Sequence, residues 1–260
     1  MSITPRRVIV VGAASGIGAA TAKYLHERGD HVLAVDVRPS DVPAAEHRQC
    51  DLRDPASIAD LLDSVGAGWD ALAHVAGIPG TAPAPDVLKV NYLGLRLMVE
   101  GMLPRINRGG AVVAVASTAA LGWETRIGEL EPLLGATTPE AVEAWTETQD
   151  PGMSYYNSKQ AVLLYTKRIA LSALQHYGVR VNTVSPGPVE TPLLPDFVQS
   201  IGAAALDHAK TTVGRHARVE DIAPVISFLA SPEAGWINAQ NIQVDGGYIG
   251  SMIAGQAITL

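Results

Sequence analysis

A glycine-rich turn, Gly12-Ala13-Ala14-Ser15-Gly16-Ile17-Gly18, directly follows the apolar run Val8–Val11 and opens a segment of helical length. Glycines at these positions permit a tight turn and a close approach of the backbone to a ligand. The helix that begins there offers unpaired N–H groups and the positive end of its dipole to an anion. The spacing is G-x-x-x-G-x-G, which by itself also fits a turn without a ligand. Between a strand and a helix, it predicts a site for a dinucleotide pyrophosphate.

Short apolar runs alternate with segments of helical length along the rest of the chain. The runs lack polar–apolar alternation, as expected of strands covered on both faces, and comprise Val8–Val11, Val32–Val35, Ala71–Val75, Ala111–Ala116, Val179–Val184 and Ile242–Val244. The helical segments are Gly16–Arg28, Pro55–Val65, Val87–Ile106, Met153–Tyr177 and Val219–Ala230. This alternation predicts right-handed crossovers between parallel strands. The predicted fold is α/β, with one Rossmann-like, doubly wound parallel sheet, helices on both faces and a single domain over residues 1–260.

Two longer segments interrupt the alternation. Residues 118–152 carry seven acidic side chains and one arginine, and Thr138-Pro139-Glu140 within them has the pattern of a helix start. Residues 187–215 follow the fifth apolar run and contain the candidate substrate contacts Leu193, Leu194 and Phe197. Because insertions at the carboxyl ends of parallel strands border the ligand crevice, both segments are predicted to cover a substrate. The three apolar side chains would serve equally well to pack a helix on the core.

Asp36 ends the second apolar run, 18 residues beyond the last glycine of the turn. A carboxylate there would hold the adenosine ribose hydroxyls and repel a 2′-phosphate, which favours NAD over NADP. Arg38 would instead attract a phosphate, so NADP is the less favoured alternative. Asp51 and Leu52 would contact the adenine edge, or Asp51 would cap the helix predicted from Pro55.

Tyr155 and Lys159 stand four residues apart, which places their side chains next to each other on a helix. A tyrosine, with a pKa of about 10, is a poor base at neutral pH. An adjacent cation would stabilise the phenolate and lower that pKa. Taken alone, the pair also fits a surface tyrosine packed on a lysine stem. Together with the glycine turn it predicts hydride chemistry on a nicotinamide cofactor.

The chain resembles the short-chain dehydrogenase/reductase family over essentially all 260 residues. The matching motifs are the glycine turn, Asp51-Leu52, Ala76-Gly77, Val90-Asn91, Ala116-Ser117, Tyr155 to Lys159, Ser185-Pro186-Gly187 with Val189 and Thr191, and Val244-Asp245-Gly246-Gly247. The resemblance implies that Ser117 is the catalytic serine, Tyr155 the acid/base, Lys159 the activating lysine and Asn91 the helix asparagine of a proton relay. It also implies a homodimer or homotetramer, paired through the helices that begin near Val87 and Met153.

The turn, Asp36 and the matching motifs together define the predicted cofactor site. Its residues are Gly12, Ser15, Gly16, Ile17, Gly18, Asp36, Asp51, Leu52, Ala76, Gly77, Tyr155, Lys159, Pro186, Gly187, Val189 and Thr191. No metal site is predicted, because the single cysteine and the scattered histidines form no cluster in the sequence.

The chain departs from the family pattern in three places, the first being Val11, which precedes the first glycine where the family usually has Thr. His74-Val75-Ala76-Gly77 stands where the family usually has Asn-Asn-Ala-Gly, and Tyr155 follows Ser117 by an unusually long interval. The interval makes residues 118–152 an insertion, which is similar to that of bacterial 3α-hydroxysteroid dehydrogenase/carbonyl reductases. Residues 75–82, 90–95, 186–189 and 236–238 resemble the coniferyl-alcohol dehydrogenases.

The predicted function is NAD-dependent interconversion of a bulky, partly aromatic or alicyclic alcohol and its carbonyl compound, as in coniferyl-alcohol dehydrogenases. One alternative is a 3α-hydroxysteroid dehydrogenase/carbonyl reductase. Another, from a different class, is an NAD-binding sensor that has lost its chemistry. An enoyl reductase is disfavoured, because that group spaces its tyrosine and lysine more widely.

The formal net charge of −7 argues against nucleic acid or an anionic membrane as partner. The longest apolar stretch, Gly109 to Trp123, is too short to span a bilayer and is predicted to be a buried strand. The one cysteine excludes an internal disulfide, and Pro5-Arg6-Arg7 leads into a strand and glycines rather than a cleavage site. We therefore expect a cytoplasmic protein.

Overall fold

A computed structural model describes residues 5–255 of the chain. Over this range it contains one sheet of seven strands, all paired in parallel, in the order β3-β2-β1-β4-β5-β6-β7. The strands are β1 Arg7–Val11, β2 His31–Asp36, β3 Glu46–Gln49, β4 Trp69–His74, β5 Ile106–Val115, β6 Arg180–Pro186 and β7 Asn241–Val244. The predicted doubly wound parallel sheet is confirmed.

The helices cover both faces of the sheet. They are α1 Gly16–Glu27, α2 Pro55–Val65, α3 Ala84–Leu88, α4 Leu95–Met102, α5 Ile127–Gly135, α6 Pro139–Thr146, α7 Ser154–Tyr177, α8 Leu194–Ile201, α9 Ala203–Val213, α10 Val219–Leu229 and α11 Tyr248–Ala254. Helices α1 and α10 pack on one face, where Val8, Val10 and Ile226 are fully buried. Helices α2, α4 and α7 pack on the other, where β1 contributes Ile9 and Val11. Burial on both faces explains why strands such as β1 and β2 are apolar at successive positions, whereas the edge strand β3 is polar and largely exposed.

The predicted single helix Val87–Ile106 is wrong. A π-helical segment, Lys89–Gly94, separates α3 from α4, and a short 3₁₀ turn at Leu103–Arg105 leads into β5. Gly94 lies against the backbone of Leu52, so close that an added Cβ would come within 2.6 Å of its carbonyl oxygen. The widened turn at Lys89–Gly94 allows this contact, which no local pattern in the sequence requires.

The stretch from Gly109 to Trp123 is a strand only as far as Val115. The inserted segment then forms two short helices: α5 packs against α7, and α6 packs against α3 and the π-helical segment. The predicted helix start is confirmed, since the Thr138 side chain caps α6 by accepting a hydrogen bond from the Ala141 N–H. Across residues 5–255, every helix is too short or too polar to cross a membrane.

Candidate active site

A cleft of about 840 Å³ opens at the carboxyl ends of the strands. It lies where the order of the sheet reverses, because β1 is flanked by β2 on one side and by β4 on the other. Ligands of doubly wound sheets bind at this position. The strand ends contribute Val11, Asp36, Val75, Val115 and Pro186 to its wall.

The glycine turn forms one end of the cleft. Gly12 has a φ of +88°, and a Cβ there would lie 2.5 Å from the backbone nitrogen of Ala76. A Cβ on Gly18 would lie only 1.9 Å from the carbonyl oxygen of Gly12. Both glycines are therefore needed for the tight packing of the turn, and the turn lines the cleft at the start of α1, a position that suits a pyrophosphate.

The Asp36 carboxylate forms a hydrogen bond with the backbone of this turn. Its Oδ2 accepts a hydrogen bond from the Ala14 N–H at 2.9 Å, and its Oδ1 accepts one from the Arg38 N–H at 3.0 Å. The guanidinium of Arg38 lies alongside, with Nη2 donating to the Ser15 hydroxyl at 2.9 Å. Asp36 and Arg38 thus both reach the end of the cleft where sequence places the adenosine ribose.

Asp51 lies farther along the same end of the cleft. Arg53 donates to both of its carboxylate oxygens, at 3.0 Å from Nε to Oδ1 and 2.7 Å from Nη2 to Oδ2. This pairing lowers the pKa of Asp51. The cap of α2 is Asp54, whose Oδ1 accepts from the Ala56 N–H at 2.9 Å. The alternative that Asp51 caps this helix is therefore wrong.

Tyr155, Lys159 and Ser117 meet at the middle of the cleft. Helix α7 carries the first two, and β5 ends two residues before the serine. The Lys159 ammonium donates to the Val115 carbonyl at 3.0 Å and lies 5.7 Å from the centroid of the Tyr155 ring. The Ser117 hydroxyl accepts from the Ala119 N–H at 3.1 Å, which fixes its oxygen at the strand end.

Burial governs the acidity of this group. Removal from water raises the pKa of the Tyr155 phenol to about 12, and hydrogen bonding with Ser117 offsets part of the rise. Burial also lowers the pKa of Lys159 to about 8. The sequence predicts that Lys159 lowers the Tyr155 pKa below its ordinary value. For the protein side chains without a cofactor, this prediction is wrong. The ammonium is turned toward the Val115 carbonyl, and desolvation of the phenol dominates.

Asn91 lies behind the cleft rather than in its wall. It belongs to the π-helical segment, and its amide pairs with the backbone of Ile78: Oδ1 accepts from N–H at 2.8 Å, and Nδ2 donates to the carbonyl at 3.0 Å. Nδ2 also donates to Ser158 at 3.1 Å. Asn91 thus ties the loop after β4 to α7, beside Lys159.

An apolar compartment continues the cleft beyond Tyr155. The Phe197 ring packs edge-on against Tyr155, with 5.1 Å between ring centroids. The other apolar walls are Leu121, Leu193, Ile201, Ala205, Leu206, Ala209, Ile249 and Met252. Leu194 is not among the residues that line the cleft, so its substrate contact stays a prediction. Its neighbour Leu193 lies on the cleft side of the start of α8 instead.

Helix α8 rests on the site as an outer cover, and each of its residues keeps some exposure to solvent. A hydrogen bond of 2.9 Å from the Thr81 hydroxyl to Asp196 Oδ1 connects it with the loop after β4. Helix α11 closes the far wall through Tyr248, Ile249 and Met252. Sequence reasoning missed α11, although an apolar pair four residues apart after Gly246-Gly247 was a signal for it.

Most of the insertion does not cover the cleft, contrary to prediction. Only its first residues, Thr118, Ala119 and Leu121, line the cleft. Val142 and Trp145 are instead buried in the core beside α7. The apolar side chains of α5 and α6 therefore pack the insertion onto the domain. Within the described residues, no three His, Cys, Asp or Glu side chains are grouped to hold a metal ion.

Two family models match consecutive parts of the chain. One, described as short chain dehydrogenase, matches residues 6–126, and the other, described as enoyl-(acyl carrier protein) reductase, matches residues 137–249. Coniferyl-alcohol dehydrogenase of Pseudomonas sp. (strain HR199 / DSM 7063) is 34% identical over 250 residues, covering 95% of this chain and 98% of that protein. The chain belongs to the short-chain dehydrogenase/reductase family.

Two further members of the short-chain dehydrogenase/reductase family are similar over nearly their whole length. The 3-alpha-hydroxysteroid dehydrogenase/carbonyl reductase of Comamonas testosteroni is 32% identical, over 92% of this chain and 95% of that one. The crystal structure of the 3-alpha-hydroxysteroid dehydrogenase from Pseudomonas sp. B-0831, complexed with NADH, superposes with a TM-score of 0.81 at 30% identity, over 96% of this chain and 100% of that one. The chain is thus an oxidoreductase of alcohol or carbonyl groups that uses a nicotinamide cofactor.

The structure gathers the residues predicted for the cofactor of this short-chain dehydrogenase/reductase. All of them line the one cleft, from Gly12 to Thr191, together with Ser117. The segment after β6 reaches over the turn, since a Cβ on Gly16 would lie 3.4 Å from Thr191 Cγ2.

His74, which replaces the asparagine usual in this family, gives a prediction for acid stability. Its ring is fully buried and, within the described chain, neither nitrogen has a partner in another residue. Burial, reinforced by the charge of Lys159, lowers the pKa of His74 from 6.5 to about 3. Below pH 6.5 the unfolded chain therefore binds a proton that the folded chain does not, and stability falls as the pH falls toward 3. Between pH 6.5 and 5, this residue should cost about 2 kcal/mol of unfolding free energy.

Urea denaturation at pH 7 and pH 5 measures this difference. We expect His74→Leu to reduce it, because the variant has no ring to keep neutral. His47→Gln, at an exposed position, is the control and should match the unsubstituted chain. An equal loss of stability in all three proteins would show that His74 is not the acid-sensitive group.

Proposed function

We propose that this enzyme interconverts a bulky, uncharged, partly aromatic or alicyclic alcohol and its carbonyl compound, with NAD as cofactor. The observation that carries the proposal is the layout of the cleft. The glycine turn and Asp36 stand at one end, Ser117, Tyr155 and Lys159 in the middle, and an apolar compartment at the other end. A dinucleotide and an apolar alcohol would thus meet at the phenol of Tyr155.

The residues present fit a bound dinucleotide. Side chains at Gly12 and Gly18 would collide with the backbone of Ala76 and of Gly12, so the tight turn at the start of α1, where a pyrophosphate would bind, requires these glycines. The Asp36 carboxylate supports NAD over NADP, because it would accept from ribose hydroxyls and repel a 2′-phosphate. Arg38 is already engaged with Ser15 and Asp36, which makes it less available to a phosphate. When bound, the nicotinamide supplies the acceptance or donation of hydride.

Three side chains would handle the proton of the substrate. In alcohol oxidation the substrate hydroxyl gives its proton to the Tyr155 phenolate as its carbon loses hydride. The Ser117 hydroxyl donates a hydrogen bond to the developing carbonyl oxygen and sets its distance from the phenol. The charge of the Lys159 ammonium, together with that of the oxidised nicotinamide when bound, would offset the desolvation that raises the Tyr155 pKa, and in carbonyl reduction each group acts in reverse. Asn91 would act without contacting the substrate, because its hydrogen bonds hold Ile78 and the loop beside Lys159 in place.

The distribution of charge supports a neutral substrate. Among the described cleft residues, the charged side chains are Asp36, Arg38, Asp51 and Arg53 at the cofactor end, and Lys159 at the centre. The compartment beyond Tyr155 is lined by aliphatic and aromatic side chains, which would desolvate an anionic substrate without pairing its charge. A thioester of a phosphorylated carrier is therefore a poor fit. The similarity to the steroid dehydrogenase of known structure makes a 3α-hydroxysteroid the second candidate substrate.

Initial rates of NADH formation test the proposal. We expect turnover with NAD⁺ of coniferyl alcohol or a 3α-hydroxysteroid, at a kcat/KM well above that of cyclohexanol, because the larger alcohols fill more of the apolar compartment. The same assay with NADP⁺ should be at least about tenfold less efficient, a difference of ~1.4 kcal/mol. Turnover with NADP⁺ but not with NAD⁺ would contradict the selection of NAD by Asp36 and would indicate that Arg38 binds the 2′-phosphate. NAD binding without turnover of any alcohol would instead favour the alternative that the protein is an NAD-binding sensor without catalytic activity.

A cytoplasmic location and a homodimer or homotetramer belong to the same proposal. They are supported by the family resemblance and, for the compartment, by the single buried cysteine, Cys50. Light scattering at assay concentration measures the assembly directly, and a monomer there would contradict it.

A further inference from the structure

One guanidinium ties the insertion to the helix that carries Tyr155. Arg126 lies in the turn before α5, and its Nη1 donates to two side-chain oxygens of α7. The distances are 2.9 Å to Asn157 Oδ1 and 2.8 Å to Gln160 Oε1. Both acceptors are almost completely buried, with 1% and 4% of their surface exposed. Since a buried acceptor without a partner is destabilising, this contact defines how the insertion sits on α7.

The same contact extends to the wall of the cleft. While Gln160 accepts from Arg126, its Nε2 donates to the backbone carbonyl of Leu121 at 3.2 Å. Leu121 lines the cleft four residues after Ser117, whose hydroxyl accepts from the Ala119 N–H. The chain from Ser117 to Arg126 is therefore fastened to α7 at its far end and to β5 at its near end.

We propose that Arg126 is a positioning residue for the substrate site. By holding Gln160, it fixes Ser117–Leu121 relative to Tyr155 and sets the width of the cleft at Leu121. This inference rests on the proposed function, in which a bulky alcohol occupies the apolar compartment that Leu121 and Phe197 help to line. A guanidinium suits the task because one charged nitrogen serves two neutral amide oxygens, which strengthens both hydrogen bonds.

A matched control exists on the same pair of segments. Arg168 of α7 pairs with Glu131 of α5 through two hydrogen bonds, of 2.8 and 2.7 Å, and both side chains are about half exposed. This pair also joins the insertion to α7, but it lies at the surface, where an ion pair adds little stability. Arg168→Met therefore removes a guanidinium from the same interface without touching Gln160.

Hydrogen exchange by mass spectrometry tests the positioning without relying on turnover. With NADH present, Arg126→Met should speed amide exchange of the peptide covering residues 117–121 at least about tenfold, whereas Arg168→Met should leave it unchanged. Arg126→Lys should show an intermediate rate, because an ammonium has donors for both oxygens but a shorter reach. Unchanged exchange in Arg126→Met, or an equal change in Arg168→Met, would overturn the proposal.

Steady-state kinetics then tests whether the position of residues 117–121 affects the binding of the substrate. For coniferyl alcohol, Arg126→Met should raise KM at least about tenfold, with a smaller change for cyclohexanol and with NADH affinity unchanged. An equal rise in KM for both alcohols, together with weaker NADH binding, would indicate a general disturbance of the structure and refute the specific role. If the unsubstituted enzyme turned over neither alcohol, the proposed function would fail while the exchange result still decided the role of Arg126.

Discussion

Tyr155→Phe should reduce kcat at least about 1000-fold while leaving NADH affinity within about threefold. The variant keeps the ring that packs against Phe197, at 5.1 Å between centroids, and removes only the hydroxyl. Loss of a positioned acid or base lowers the rate by about 10²–10⁴-fold. The upper part of that range applies because Tyr155 is the one acid or base in the cleft centre beside a hydroxyl donor and a lysine. Rates on the best alcohol of the panel, with NADH binding followed by fluorescence, measure both quantities.

Tyr156→Phe is the control for this variant. The neighbouring tyrosine also lines the cleft, is half-buried and follows Tyr155 on the same helix. We expect it to retain most of the activity, because Lys159 and Ser117 are grouped around Tyr155. Near-normal turnover of Tyr155→Phe with cofactor bound would exclude the proposed proton transfer.

Gly18→Ala should weaken NADH binding at least about 100-fold, or ~2.7 kcal/mol. The new Cβ would stand 1.9 Å from the carbonyl oxygen of Gly12, far inside van der Waals contact. The position of the Cβ is fixed by the backbone of residue 18 and the atom it meets is a backbone oxygen, so no side-chain rotation relieves the clash, and the turn itself must move. A displaced turn no longer presents its N–H groups to the pyrophosphate. Titration with NADH, alongside thermal unfolding, would separate lost affinity from lost stability.

Gly128→Ala is the control, because a side chain at this helical glycine would contact no other atom. A Cβ at Gly128 would meet no atom within 4 Å, and the residue is exposed in α5. Alanine there should leave NADH affinity unchanged and raise stability by about 0.5–1 kcal/mol. If Gly18→Ala bound NADH as tightly as Gly128→Ala, the turn would not hold the pyrophosphate.

The sheet and the cofactor end of the cleft were predictable because their determinants are local. Continuous apolar runs such as Val8–Val11 report burial on both faces of a strand, and parallel order follows from the helices between them. The glycines and Asp36 stand at fixed distances from strand ends, so their convergence follows from topology alone. Topology likewise brings Ser117 and Tyr155 to the same edge of the sheet.

Features that depend on contacts distant in sequence were not predictable in the same way. The π-helical segment arises where Gly94 meets Leu52 and where Asn91 pairs with Ile78. Trp145 is equally apolar in a substrate cover and in a core, and only the packing of α6 decides for the core. The high pKa of Tyr155 likewise reflects burial that surrounding elements create together.

Helix α8 contacts Tyr155, the proposed acid/base, through Phe197, yet all eight of its residues remain partly exposed to solvent. Substitutions in such a surface element change few core contacts and so cost little folding free energy. In the proposed substrate site, the preference for one alcohol over another could therefore change through substitutions in α8, while the sheet, Ser117, Tyr155 and Lys159 stay constant. Substrate preference would then evolve separately from folding stability, by a few changes in one short helix.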